Sequence, residues 1–166
     1  MKISAQEEYG LRVLLRIGES DQTEGLSIAQ LSDMEGMSSA YVAKLTRNLR
    51  LAGFIQSTRG QKGGYILAKP ADEIMLNEVL KSLGGTLYDE SFCKDHSGVY
   101  AICTNSVSCS VRSIWKLLQL AVDHVLTQIS LEDILQKRPA TSASVMHTII
   151  AQLEQDERFK ALLNKG

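Results

Sequence analysis

The sequence has no apolar run that approaches the roughly 20 residues needed for a membrane-spanning helix. It begins with Met1, and the first residues are not followed by the apolar stretch of a secretion signal. These two absences argue against a membrane protein and against a secreted one. The sequence therefore predicts a cytoplasmic protein with no membrane partner.

Aromatic and cysteine side chains are both scarce. Aromatic residues make up 5% of the chain and hydrophobic residues as a whole 44%, so the core is expected to consist mainly of leucine, isoleucine, valine and alanine. There are three cysteines. Because an odd number of cysteines in a reducing compartment is a poor basis for disulfides, we do not expect a disulfide framework.

Acidic residues are absent from one long window, between Glu35 and Asp72. The same window holds six basic residues: Lys44, Arg47, Arg50, Arg59, Lys62 and Lys69. The formal net charge of the whole chain is only −1, so this excess is local. A basic patch on a nearly neutral protein is typical of nucleic-acid binding. A charged, solvated surface is the alternative for the charges taken alone.

A short helix is predicted just before this window. Ser27 and Gln30 have the spacing of a capping box, which satisfies the first backbone donors of a helix. Leu31 and Met34 supply an apolar face. Gly36 can adopt the left-handed conformation that ends a helix.

A second, basic helix follows after a tight turn. Ser38 or Ser39 caps it, and it is expected to run to about Ala52. The predicted buried stripe comprises Val42, Leu45, Leu49 and Ala52. Two short helices with a basic second member suit a helix-turn-helix whose second helix enters the major groove. The predicted DNA-contacting residues of this helix are Ser38, Ser39, Tyr41, Lys44, Arg47 and Arg50.

A β-wing is predicted after the helix pair. The segments 54–57 and 65–67 have strand character, and Gly60, Gly63 and Gly64 between them permit a tight hairpin tip. Arg59 and Lys62 at such a tip would reach phosphates or a minor groove. Charges, helix pair and wing together predict double-stranded operator DNA as the partner.

The rest of the chain is predicted to be helical. Ser4 and Glu7 form a second capping box that opens a helix to about Ser20, and a short helix over 76–83 has Asn77 as its candidate cap. Residues 108–129 repeat apolar side chains every three or four positions, which suits a homodimer arm. Packing of this helix on its own domain is the alternative.

The predicted fold class is mainly α with a small β-wing, in which a winged helix-turn-helix precedes a long dimerisation helix. We divide the chain into a DNA-binding domain at 1–84, a cysteine-bearing loop at 85–107, a dimerisation helix arm at 108–135 and a helical tail at 136–166.

The cysteines, Cys93, Cys103 and Cys109, all fall within seventeen residues. Thiolates bind iron–sulfur clusters or zinc. The short two-residue spacings of zinc fingers are absent, which argues against zinc. Spacing alone leaves both metal binding and a role as small apolar side chains open.

These motifs resemble those of the IscR/NsrR family of bacterial winged-helix repressors. The resemblance covers about residues 1–135 and rests on the segments 1–4, 9–12, 37–45 and 59–67 and on three cysteines before a long helix. It implies a dimeric repressor in which 38–50 is the recognition helix and Arg59 enters the minor groove. It also implies an iron–sulfur cluster, [2Fe-2S] or [4Fe-4S], on the three cysteines. Some members of the family bind no cluster.

The resemblance leaves the fourth cluster ligand open. The first two cysteines are further apart than in the best-known members, and Arg112 stands where some members have a histidine. A guanidinium has no lone pair to give. Other members use an acidic residue of the first helix of the partner subunit, and Glu8 matches that position. Glu8 is therefore the predicted ligand, with Glu7 and His96 as alternatives.

The predicted function is a dimeric transcriptional repressor that senses redox, iron or nitric oxide state through an iron–sulfur cluster. The alternative is a cluster-free winged-helix regulator controlled by a partner protein or a small molecule. An enzyme is not predicted. Lys62 is followed by Gly63 rather than by the serine or threonine of a P-loop. The three histidines, His96, His124 and His147, have no evident nucleophile or acid partner.

Overall fold

The computed structural model describes residues 3–58, 63–88 and 109–136. Within these ranges the elements are α1 (Ala5–Glu19), α2 (Ile28–Glu35), α3 (Ser39–Leu51), β1 (Ile55–Ser57), β2 (Tyr65–Leu67), a 3-10 helix (Ala71–Glu73), α4 (Leu76–Ser82), α5 (Ser110–Leu126) and α6 (Leu131–Leu135). The predicted fold class, mainly helical with a small two-stranded wing, is confirmed.

The chain divides into two units, residues 1–135 and residues 136–166. All the elements named above belong to the first unit. The predicted tail helix lies outside the described residues, and so do most of the predicted cysteine loop and the wing tip. The predicted domain boundaries at 84 and 107 therefore stay predictions.

Local hydrogen bonds begin the first three helices where the sequence predicts. At α1 the Ser4 hydroxyl accepts from the Glu7 N–H, and the Glu7 carboxylate accepts from the Ser4 N–H. Ser27 and Gln30 form the same reciprocal box at α2. For α3 the structure selects Ser38 as the cap, because its hydroxyl accepts from the Tyr41 N–H at 3.3 Å.

The core is aliphatic, as the composition predicts. It is built from one face of α1, α2, α3 and α4, together with β1 and α6: Val13, Leu14, Ile17, Leu31, Val42, Leu45, Leu49, Phe54, Ile55, Ile74, Val79, Leu83 and Leu131. Gly10 lets α1 approach the end of α4 closely, since a Cβ at this position would lie 2.6 Å from the Leu83 side chain. The helix-turn-helix thus packs on α1 as one body.

Three details of the predicted packing are wrong. Met34 is 48% exposed, because Glu35 takes the inward position one turn after Leu31. Ala52 is exposed, because it follows the last turn of α3 as its C-cap. The N-cap of α4 is Met75 rather than Asn77, since the antiparallel bridge between Met75 and Ser130 holds the backbone extended up to that residue.

The two strands pair in antiparallel register, with Gln56 opposite Ile66. A further bridge joins Tyr65 of β2 to Leu26, in the loop between α1 and α2. The wing is therefore joined by backbone hydrogen bonds to the loop that leads into the helix-turn-helix.

Polar side chains join the long helix α5 to the rest of its unit. Gln119 accepts from the N–H groups of Leu87 and Tyr88, and Lys81 of α4 pairs with Asp123 at 3.1 Å. No residue of α5 is buried. Among the described helices, none combines the length and the apolar character that a bilayer span requires.

Candidate nucleic-acid interface

The basic side chains of α3 lie on its solvent side. Lys44, Arg47 and Arg50 are all exposed, whereas Val42, Leu45 and Leu49 on the other side are buried in the core. Within the described part of the chain, none of the three cations forms an ion pair. Their charge is therefore available to an external anion such as a DNA phosphate.

The two serines at the start of α3 already have partners within the protein. The Ser38 hydroxyl caps the helix, and the Ser39 hydroxyl lies 3.2 Å from the Ser32 hydroxyl on α2. Both residues remain exposed beside the first turn of α3. Their predicted DNA contacts remain predictions.

Tyr41, predicted to contact DNA, is partly buried and connects α3 to α1. Its ring meets the Tyr9 ring edge to face, with centroids 6.1 Å apart and planes at 85°. The Arg12 guanidinium lies over the Tyr9 ring, 5.4 Å from its centroid. The tyrosine pair therefore orients α3 against α1, which sequence reasoning did not predict.

A buried carboxylate also joins α1 to the helix-turn-helix. The Glu35 side chain is 1% exposed and receives hydrogen bonds from Arg12 Nε at 2.7 Å and from Arg16 Nε at 2.6 Å. Burial alone would raise the pKa of the Glu35 carboxyl. The hydrogen bonds and charges of Arg16 and Arg12 outweigh burial and hold that pKa below its ordinary value.

Sequence reasoning missed this ion pair, although a signal was present. Arg12 and Arg16 are one helical turn apart on α1. Glu35 is one turn after the buried Leu31 on α2. A charged residue on a core-facing position calls for an opposite charge on the facing helix.

The base of the wing is held by close backbone contacts. The Thr58 hydroxyl accepts from the Gly64 N–H at 2.8 Å, and the Thr58 N–H donates to the Gly64 carbonyl at 2.9 Å. A Cβ on Gly64 would lie 2.9 Å from the Glu24 carbonyl oxygen. The segment that carries Arg59 and Lys62 lies outside the described residues, between these two fixed ends.

The described part of the predicted metal site is Cys109 and the start of α1. Cys109 is the N-cap of α5, where its sulfur accepts from the Arg112 N–H at 3.4 Å, and it is a free, half-buried thiol. Cys93, Cys103 and His96 lie outside the described residues. Within the described ranges no group of three or more metal-binding side chains occurs.

The two candidate acidic ligands on α1 differ in their surroundings. Glu7 is engaged in the capping box, and its carboxylate lies against Gly85, where a Cβ would be 2.5 Å from Oε1. Glu8, in contrast, is exposed to solvent. Of the two, Glu8 is the one whose carboxylate is accessible to a group outside its own unit.

An unburied apolar face runs along α5. It contains Val111, Ile114, Trp115 and Leu118, which are between 43% and 59% exposed. These residues recur at intervals of three and four and so lie on one side of the helix. Gln119 and Asp123, which contact α4 and the residues after it, lie on another side. An apolar face left in water on a folded unit is typical of a surface that binds another molecule.

Comparison with known proteins assigns this arrangement to regulators of transcription. A family model described as "Rrf2: Iron-dependent Transcriptional regulator" matches residues 3–137. The regulator IscR of Photorhabdus laumondii is 28% identical over 138 residues, which is 83% of this chain and 81% of that protein. The residues matched by the family model include every helix and strand described above.

Two solved structures support the same assignment. T. potens IscR has a TM-score of 0.60 and 28% identity over 86% of this chain and 90% of its own. CymR, described as the global cysteine regulator of B. subtilis, has a TM-score of 0.61 and 26% identity over 83% of this chain and 98% of its own.

Proposed function

Because this chain belongs to the Rrf2 family of transcriptional regulators, it is a DNA-binding regulator, and we propose that it acts as a dimeric repressor controlled by an iron–sulfur cluster. The observation that carries the DNA-binding part of the proposal is the exposed basic side of α3, whose cations form no ion pair with any residue that the structure describes. The other side of this helix is buried in the core. The proposed signal is a change in redox, iron or nitric oxide state.

In this proposal α3 enters the major groove of the operator. Lys44, Arg47 and Arg50 bind phosphates or base edges, and Ser38 and Ser39 face the backbone near the first turn. Tyr41 holds α3 in position through its ring contact with Tyr9 of α1. The wing, with Arg59 and Lys62, follows the backbone or the minor groove beside it.

The apolar face of α5 is the proposed dimer contact. A single unit leaves Val111, Ile114, Trp115 and Leu118 in water. Pairing this face with the same face of a second copy gives a two-fold symmetric contact that removes the apolar area from water. A two-fold dimer carries two recognition helices, which fits half-sites about one helical turn apart.

The proposed cluster ligands are Cys93, Cys103, Cys109 and Glu8. The described members fit this role, since Cys109 is an unpaired thiol and Glu8 an accessible carboxylate. Thiolates are the usual ligands of iron–sulfur clusters, and the bound cluster supplies a redox-sensitive link. Cys109 begins the dimer helix and Glu8 lies on α1, which holds the helix-turn-helix. Ligation therefore ties dimer geometry to the DNA-binding helices, as regulation requires.

The decisive experiment combines cofactor analysis with DNA binding. Protein purified without oxygen is expected to show visible absorbance and to contain iron and sulfide. Replacing any one of Cys93, Cys103 and Cys109 by alanine should remove most of both, whereas Ser113→Ala on the exposed side of α5 should not. An unchanged visible spectrum in one cysteine variant would remove that residue from the ligand set.

The DNA contact has its own test, by fluorescence anisotropy on a duplex selected from a random library. The salt slope is the slope of log affinity against log salt concentration. Each lost phosphate contact should reduce its magnitude by about 0.9. Arg47→Ala should therefore reduce it by about 1.8 in a dimer, and Lys81→Ala, which removes the same charge away from α3, should leave it unchanged. Equal slopes for wild type and Arg47→Ala would contradict the assignment of α3.

The second candidate is a cluster-free regulator whose thiols or partner contacts carry the signal. It is favoured by the likeness to CymR, described as a cysteine regulator, and by the free thiol of Cys109. Colourless, iron-free protein that still binds the selected duplex would support this candidate over the first.

A further inference from the structure

The edge of β2 that faces away from β1 is hydrogen-bonded at two residues. The partner of the first is a backbone segment, and the partner of the second is a side chain. Tyr65 exchanges hydrogen bonds of 2.9 and 3.1 Å with the backbone of Leu26. Leu67, two residues further on, turns its N–H to the same side of the strand. That N–H donates to the side chain of Gln22, with Oε1 at 2.9 Å.

The other end of the same amide is bound to the end of α1. Gln22 Nε2 donates to the carbonyl of Ile17 at 2.7 Å and to the carbonyl of Ser20 at 2.8 Å. The last carbonyls of a helix have no partner within the helix, so they are natural acceptors. Because two carbonyls lie on one side and an N–H on the other, only one orientation of the Gln22 amide satisfies all three contacts.

The backbone around Gln22 is fixed on both sides. The Asp21 carboxylate accepts from the N–H and the hydroxyl of Thr23 at 2.7 and 2.6 Å, and the Asp21 carbonyl accepts from the Gly25 N–H. The hydrogen bonds from the Thr23 hydroxyl and the Thr23 N–H to the carboxylate hold the Asp21 pKa below its ordinary value. The Gln22 side chain thus extends from a preformed turn, which reduces the conformational entropy lost when it binds the wing.

We propose that Gln22 is a positioning residue for the wing, whose side-chain amide takes the place of a third strand and fixes the DNA-contacting hairpin to the end of α1. The inference rests on the proposed DNA contact of the wing. A two-stranded hairpin with three-residue strands is marginal by itself, and an uncovered edge leaves its orientation free. Since α1 also packs against α3, Gln22 fixes the position of the wing relative to the recognition helix.

The variant Gln22→Met tests the proposal, because methionine has a similar length and can make none of the three hydrogen bonds. Gln56→Met is the matched control, a glutamine on the same hairpin with a single long contact of 3.5 Å to the Leu67 carbonyl. Hydrogen exchange should show the Leu67 amide exchanging faster in Gln22→Met and the Leu49 amide unchanged. The affinity for the selected duplex should fall about three- to ten-fold, the range expected for about one net hydrogen bond.

Combination with Arg59→Ala separates positioning from general stability. If Gln22 acts through the wing, Gln22→Met should reduce the affinity less than two-fold in a protein that already carries Arg59→Ala. Two-fold is roughly the error of a double-mutant cycle. Equal losses with and without Arg59, or no loss in the intact wing, would overturn the inference. If Arg59→Ala alone binds as wild type does, the wing contact of the proposed function fails and the inference fails with it.

Discussion

Replacing Glu35 by glutamine is expected to destabilise the protein, because it removes the charge that Arg12 and Arg16 of α1 contact on α2. The wild-type carboxylate is 1% exposed and receives three contacts of 2.6 to 2.7 Å, two from Arg12 and one from Arg16. Removing one partner of a buried ion pair costs about 3–5 kcal/mol. Both arginines are about two-fifths exposed and can be rehydrated, so we expect a smaller loss, about 2–3 kcal/mol.

Urea unfolding of wild type and Glu35→Gln at neutral pH measures this loss. Asp33→Asn is the matched control, since it removes the same charge from an exposed position on the same helix. It should change the free energy of unfolding by less than about 0.5 kcal/mol. A Glu35→Gln protein as stable as the Asp33→Asn protein would refute the reasoning.

The pH dependence gives an independent check of the charge. The pKa of Glu35 is lower in the folded protein than its ordinary value of 4.5. The stabilisation is therefore fully present above pH 4.5 and is lost as the pH falls below it through the folded pKa. The difference in the free energy of unfolding between wild type and Glu35→Gln should shrink as the pH falls over that range. A difference that stays constant from neutral pH to about pH 3 would show that packing, not charge, is responsible.

Three further predictions concern other parts of the molecule. Leu118→Glu on the apolar face of α5 should convert a dimer to monomers in sedimentation analysis and weaken operator binding, whereas Ser113→Glu on another side of the helix should do neither. Gly64→Ala should destabilise the wing base by about 1–3 kcal/mol in urea unfolding, because its Cβ would meet the backbone of the α1–α2 loop at 2.9 Å. Glu8→Ala should alter the visible spectrum of the cluster protein; an unchanged spectrum there, with a changed one in His96→Ala, would transfer the fourth ligand to His96.

The helix boundaries of the DNA-binding part could be predicted because they are set by local contacts. The hydroxyls of Ser4, Ser27 and Ser38 reach backbone donors three residues away, and such contacts depend on little beyond the neighbouring sequence. Gly36 ends α2 at φ 64°, a conformation that glycine adopts without strain. Charge is equally local, so the acid-free window identified the basic side of α3.

Burial could be predicted less well, because it depends on which helix lies opposite. Met34 has an apolar side chain and Glu35 a charged one, yet Glu35 is the buried residue. Two arginines 23 and 19 positions away in the chain compensate its charge. Tyr41 was assigned to DNA by its place on the recognition helix, and its contact with Tyr9 appeared only in the folded arrangement.

The winged helix-turn-helix, the aliphatic core and the long amphipathic helix could be predicted from the sequence, since periodicity, caps and charge are properties of neighbouring residues. Folding is what leaves the apolar face of α5 unburied and brings Gln22 to Leu67, 45 positions along the chain. Nothing near Gln22 in the sequence distinguishes it from any polar loop residue. Its role follows from the end of one helix and the edge of one strand meeting in space, where one side-chain amide forms hydrogen bonds to both.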